Sequence, residues 1–133
     1  QPLGPWLRRY ASMARPGVCF VVSDFLDEGG YQDGLSVLAG ARLEINALHT
    51  LCRDELSPTF SGDLRMKDVE TSKTQDISLD DGTLRQYQDR LGAFTTELSA
   101  FCRRRGGHYH LADTSLTVQE IVSRDLRREG WIV

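Results

Sequence analysis

Val18-Cys19-Phe20-Val21-Val22-Ser23-Asp24-Phe25 is the stretch that decides the fold. It is a nearly continuous apolar run that ends in polar residues. Pro16-Gly17 precedes it and Glu28-Gly29-Gly30 follows. A short apolar run without alternation, bounded by turn residues, predicts a strand buried on both faces, as in a parallel sheet. A parallel neighbour requires a crossover, and the next residues supply one. Tyr31, Leu35 and Leu38 mark a short helix, with Gly40 suited to its C-terminal cap. Arg42 to Cys52 then alternates through Leu43, Ile45, Ala47 and Leu51, the pattern of a second strand. Strand, helix and strand at this spacing form a βαβ unit, whose crossover is almost always right-handed.

Outward from this unit the patterns continue. On the N-terminal side, Trp6, Tyr10 and Met13 recur at helical spacing and predict a short amphipathic leading helix within residues 1–14. On the C-terminal side, two alternating runs, Asp63 to Val69 and Gln75 to Leu79, flank Glu70-Thr71-Ser72-Lys73. They predict a β-hairpin insertion over residues 62–80, too polar for a core pair. Leu84, Tyr87, Leu91, Phe94, Leu98 and Phe101 then mark a long helix from Asp80-Asp81 to Arg105. Its acidic start and its Arg103-Arg104-Arg105 end both complement the helix dipole, and Gly106-Gly107 terminates it. His108 to Ala112 reads as a third buried strand. Val118, Ile121, Val122 and Leu126 mark a last helix, with Asp113, Thr114, Ser115 and Thr117 as candidate caps.

The expected fold is therefore α/β and Rossmann-like: three parallel core strands flanked by helices, plus a β-hairpin, in one unit over residues 1–133. Doubly wound sheets commonly hold five or six strands. The chain reads as the C-terminal portion of a larger domain, with its first strand an inner strand left open along one edge. An open strand of that kind invites pairing, so a homo-oligomer is expected.

Composition narrows the function classes. Sixteen basic residues against nineteen acidic give a net charge of -3, which offers no surplus to neutralise phosphates and argues against a nucleic-acid binder. No apolar run reaches the length of a membrane helix, and the start of the chain has no apolar secretory core. Cys19, Cys52 and Cys102 are odd in number and widely spaced. They read as reduced, buried cysteines of a cytoplasmic protein, without zinc-type pairs.

Asp24 is the leading candidate site residue. It lies at the carboxyl end of the first strand, where open α/β sheets bind ligands. Ser23, Asp27 and Glu28 surround it with hard oxygens suited to Mg²⁺. The plainer reading is that Asp24 caps the following turn. Asp113-Thr114-Ser115-Leu116-Thr117 fits a D-x-S-x-S/T metal pattern, but helix capping is the better reading. His108 and His110 share one strand face. With His49 on a neighbouring strand they could approach a zinc set, although sheet-face packing is favoured. No phosphate-cradling glycine loop and no nucleophile elbow is present.

These residues carry a resemblance. Arg15-Pro16-Gly17-Val18-Cys19-Phe20-Val21-Val22-Ser23-Asp24-Phe25-Leu26-Asp27 resembles a bacterial family of von Willebrand factor A-like domains of unknown function. Further similar pieces follow in order: Ala47-Leu48-His49, Gly62-Asp63-Leu64-Arg65, Asp68-Val69-Glu70-Thr71, Phe101-Cys102-Arg103-Arg104-Arg105-Gly106, and Tyr109 with Asp113-Thr114. Members of that family are commonly encoded beside a MoxR-type AAA+ ATPase. The resemblance implies a non-enzymatic interaction domain that works with such an ATPase in assembly or maturation of a protein complex. It also implies that the family's D-x-S-x-S motif lies upstream and that Asp24 corresponds to a later metal-site acid. Without the upstream oxygens, Asp24 alone is expected to hold Mg²⁺ weakly or not at all; the ion belongs to the intact domain. The alternative is a Mg²⁺-dependent phosphoryl-transfer enzyme or nuclease using Asp24, Asp27 and Glu28.

Overall fold

The computed structural model describes residues 2–58 and 76–132, with the side chains of 76–80 left aside. The elements run α1 (Leu3–Met13), β1 (Gly17–Ser23), α2 (Gln32–Gly40), β2 (Leu43–Leu51), α3 (Arg53–Leu56), α4 (Asp76–Arg104), β3 (His108–Asp113) and α5 (Val118–Glu120). The last continues into a π-helical turn, Ile121–Leu126. The strands form one parallel sheet in the order β1-β2-β3. Gly17 lies opposite Leu43, and Ser23 opposite His49; Asn46 lies opposite His108, and Leu51 opposite Asp113. The architecture is the expected one: α/β, three parallel strands flanked by helices, as in part of a Rossmann-like domain.

The main core lies on one face of the sheet. Cys19 and Val21 from β1 and Leu43, Ile45 and Ala47 from β2 meet Leu35 and Leu38 of α2 and Leu98, Phe101 and Cys102 of α4. Leu98, Leu35 and Leu38 are fully buried, each contributing roughly 1.5–3 kcal/mol of transfer free energy. Burial also pushes the Cys102 thiol up to about 11, so it stays protonated among its apolar neighbours. A smaller cluster on the opposite face joins Ala112 of β3 to Ile121 and Leu126. Entry into β3 depends on Gly107. A Cβ there would stand 1.9 Å from the Ile45 carbonyl oxygen.

Several expectations need correction. The leading helix forms, but with its other stripe inward. Gly4 and Leu7 are buried, whereas Trp6, Tyr10 and Met13 are exposed. The reason is the closeness of the α1–α2 crossing: a Cβ on Gly34 of α2 would lie 3.3 Å from the Gly4 Cα. Small residues permit that approach, and an aromatic stripe does not. Arg9 instead lies over the exposed Trp6 ring, 6.0 Å from its centroid. β1 is buried on one face only: Val18, Phe20 and Val22 are exposed on the other. The left-handed residue after α2 is Arg42, at φ 61°, and Gly40 is still helical. Cys52 is exposed, unlike Cys19 and Cys102.

The proposed second hairpin strand, Gln75 to Leu79, is also corrected, because Asp76–Leu79 is already helical. Ile77 stands one heptad before Leu84, in phase with the apolar stripe of α4, so the same residues satisfy both periods. The rest of the hairpin, from Gly62 through Gln75, lies outside the described residues.

Candidate functional site at the carboxyl ends of the strands

β1, β2 and β3 run parallel, so their carboxyl ends lie together. This is where open α/β sheets place ligands. β1 ends in two overlapping side-chain turns. Ser23 Oγ accepts from Phe25 N–H at 2.9 Å, and Asp24 Oδ1 accepts from Leu26 N–H at 2.9 Å. Between them Phe25 takes a left-handed φ of 55° with its ring buried. A bulky residue in that region is costly, so its surroundings must hold it there. The Asp24 carboxylate is left at the surface. The turn-capping reading of Asp24 is thus correct, and the residue is exposed as well.

Asp27 has a structural task. Its Oδ2 accepts from Leu3 N–H at 2.6 Å at the start of α1, and its Oδ1 accepts from Gly29 N–H at 3.1 Å. These bonds, that from Gly29 foremost, hold its pKa below the usual carboxylate value. Glu28 is exposed. At the end of β3, Asp113 Oδ1 accepts from Ser115 N–H at 2.8 Å, which lowers its pKa, and Arg53 Nε lies 3.8 Å from its Oδ2. Thr117 closes the D-x-S-x-T stretch as a helix cap: its Oγ1 accepts from Glu120 N–H at 3.1 Å, and Glu120 accepts from Thr117 N–H at 2.8 Å. The stretch caps turns and a helix, as expected.

Beneath the Asp24 turn lies an arrangement that spans all three strands. His49 of β2 is fully buried. Its Nε2 is 3.0 Å from the Asp24 carbonyl oxygen, and its Nδ1 is 2.8 Å from the Tyr109 hydroxyl of β3. A carbonyl only accepts, so Nε2 carries the proton and Nδ1 accepts from Tyr109. The ring packs edge-on to Phe25, 5.4 Å between centroids, and against Phe94 at 5.7 Å. Burial lowers the pKa of His49 and raises that of Tyr109, so both stay neutral. The bridge was legible in part. His49 falls in the inward row of Leu43, Ile45, Ala47 and Leu51, a position where a polar ring needs partners. Tyr109 is the residue of β3 opposite Ala47 on that same face. Only the register brings the two together.

The histidines therefore do not converge. His108 and His110 lie opposite Asn46 and Leu48, on the sheet face away from His49. His108 Nδ1 donates to Asn46 Oδ1 at 2.8 Å. His110 Nδ1 is 2.7 Å from Glu129 Oε1, and its Nε2 is 3.7 Å from Asp125 Oδ2. Asp125 is buried and held by Arg124 Nε at 2.8 Å and Arg128 at 3.0 Å. Its pKa is lowered first by the Arg124 bond.

The fit of this end to Mg²⁺ is poor. Asp27 is spent on backbone N–H groups, Ser23 on Phe25, and Asp24 offers one free carboxylate oxygen. Among the described residues, no three His, Cys, Asp or Glu side chains are placed to hold a metal ion. Among the same residues, no helix is long and apolar enough to cross a membrane.

The family model described as "Protein of unknown function DUF58" matches residues 8–97, more than half of the chain. The comparison with curated proteins gave no match. The comparison with solved structures gave none either.

Proposed function

The chain belongs to the DUF58 family of proteins of unknown function, and from that premise we propose a non-enzymatic protein-interaction domain that presents the carboxyl end of its sheet to a partner. The observation that carries the reading is the Tyr109–His49–Asp24 bridge. It ties the turn after β1, through His49 near the end of β2, to Tyr109 within β3, and leaves the Asp24 carboxylate outward. A preorganised, exposed acid suits recognition, because little side-chain freedom is lost on binding. The same bridge weighs against catalysis by His49, since both ring nitrogens are engaged and the ring is sealed from solvent. The spent oxygens of Asp27 weigh against a phosphoryl-transfer site built on Asp24, Asp27 and Glu28.

The partner we propose is a MoxR-type AAA+ ATPase, with assembly or maturation of a protein complex as the task. That part rests on the resemblance of Arg15–Asp27 and the later pieces to the von Willebrand factor A-like family. A metal-dependent version of this contact needs oxygen ligands beyond those described.

The test is co-precipitation of the full-length protein with a MoxR-type AAA+ ATPase. Asp24→Ala is expected to weaken capture at least ten-fold while lowering the melting temperature by no more than a few degrees, because the side chain holds only one turn N–H. Equal capture by both proteins, with and without Mg²⁺, would sink the proposal.

A further inference from the structure

We propose that a cleft along the outer edge of β3 receives an extended, acidic segment of a partner protein, which joins the sheet beyond β3. This surface is on the opposite edge of the sheet from β1; it shares Tyr109 with the bridge but does not use the Asp24 carboxylate.

The backbone chemistry sets the kind of occupant. β3 is an edge strand among the described residues. Thr114 N–H donates to Leu51 O at 2.9 Å, which assigns alternate β3 residues to β2. Strand alternation then turns the N–H and C=O groups of Tyr109 and Leu111 to the outer edge. A row of such groups is a template for another strand.

The surroundings shape a seat for it. A cavity of about 920 Å³ has His108–Leu111 as its floor, one side of α4 as one wall, and Glu129 and Trp131 as the other. The α4 wall is built from short side chains, Thr95, Thr96, Ser99 and Ala100, which leave room for those of an added strand. An exposed strand edge with room beside it for alternate side chains is the arrangement by which peptides add to sheets.

Charge sets the composition. Arg103 lines the cleft, is exposed, and has no ion-pair partner among the described residues. Glu129, the acid lining it, is engaged by His110 at 2.7 Å. Arg103 is thus the charged side chain of the cleft without a partner among the described residues, and a carboxylate on the incoming segment answers it, bidentate in the best geometry.

The experiment pans random heptapeptides displayed on phage against the full-length protein, then measures the enriched sequences as labelled synthetic peptides. Enriched peptides should alternate β-branched residues and carry Asp or Glu; replacing that acid by Lys should weaken binding at least ten-fold. Arg103→Glu should reverse the preference, and Ser99→Trp should abolish binding by filling the cleft. In the unmodified protein, saturating peptide should slow amide exchange at Tyr109 and Leu111, which keeps the test decisive even if Ser99→Trp misfolds. Lack of enrichment, enriched peptides without an acid, equal binding by Arg103→Glu, or unchanged exchange at those amides would each overturn the proposal. So would self-association lost in Ser99→Trp, which would assign the edge to a second copy of the chain.

Discussion

The two faces of the sheet are made from the same strands and end in opposite states. On one face of β1, Cys19 and Val21 are buried under helices. On the other, Val18, Phe20 and Val22 are 55%, 53% and 63% exposed. Over Leu48 of β2 and Ala112 of β3 the second face is covered, by Ile121, Leu126, Trp131 and Ile132. Phe20 reaches the margin of that cover, 6.1 Å from the Trp131 ring. The difference teaches that residue character alone does not assign burial. Five apolar or thiol-bearing residues in a row, Val18 to Val22, alternate between core and surface because the strand alternates.

Truncation in the finished core should have the largest effect. Leu98→Ala removes a fully buried side chain and should cost about 2–5 kcal/mol in urea unfolding. A cost near that of a surface change would mean that the α4 side of the core is far looser than its burial indicates.

The bridge within that face comes next. Tyr109→Phe leaves the buried Nδ1 of His49 without a donor, and should cost about 1–3 kcal/mol. It also has a pH signature. His49 titrates below its ordinary value of 6.5 in the fold, with burial the main cause. The unfolded chain therefore takes up the proton first as pH falls. The contribution of the neutral ring is present above about 6.5 and is lost progressively as pH falls through the folded value. Melting temperatures followed from pH 7.5 downward should decline in this window, and the decline attributable to this residue should vanish in His49→Gln. An unchanged slope in that variant would place the acid sensitivity elsewhere.

The smallest stability effect is expected on the open face. Val18→Ser with Val22→Ser should change unfolding free energy by no more than about 1 kcal/mol, since each side chain is already largely in water. The same pair should reduce self-association in sedimentation, because a contiguous apolar row is a surface that seeks cover. A core-sized loss in the full-length protein would show that another part of the polypeptide covers this row, which would remove the contrast between the faces.

Much of the fold could be read from periodicity. The βαβ unit, the long helix ending at Gly106-Gly107 and the third strand all rest on local patterns, and each appears within a few residues of its expected bounds. The errors cluster where two patterns compete. Residues 76–79 alternate and are also in phase with α4; the helix prevails. In α1, Trp6, Tyr10 and Met13 and the stripe of Gly4, Leu7 and Ala11 are both helical faces, and the tight crossing with α2 selects the small one. The candidate site was legible at Asp24, whose position follows from the end of a strand. At the bridge beneath it was legible only in part: His49 falls in an inward row, but it meets the distant Tyr109 only through the β2–β3 register.

What the sequence determined by itself was the class of structure and the kind of element at each place, because turn residues and hydrophobic period act over a few neighbours. It also set the charge balance and the lack of a phosphate-binding loop. What the tertiary structure decided was which apolar face is covered, which oxygens are spent, and which histidine meets which partner. Those outcomes depend on register and layer packing, where residues far apart in the chain compete for the same few ångströms of space.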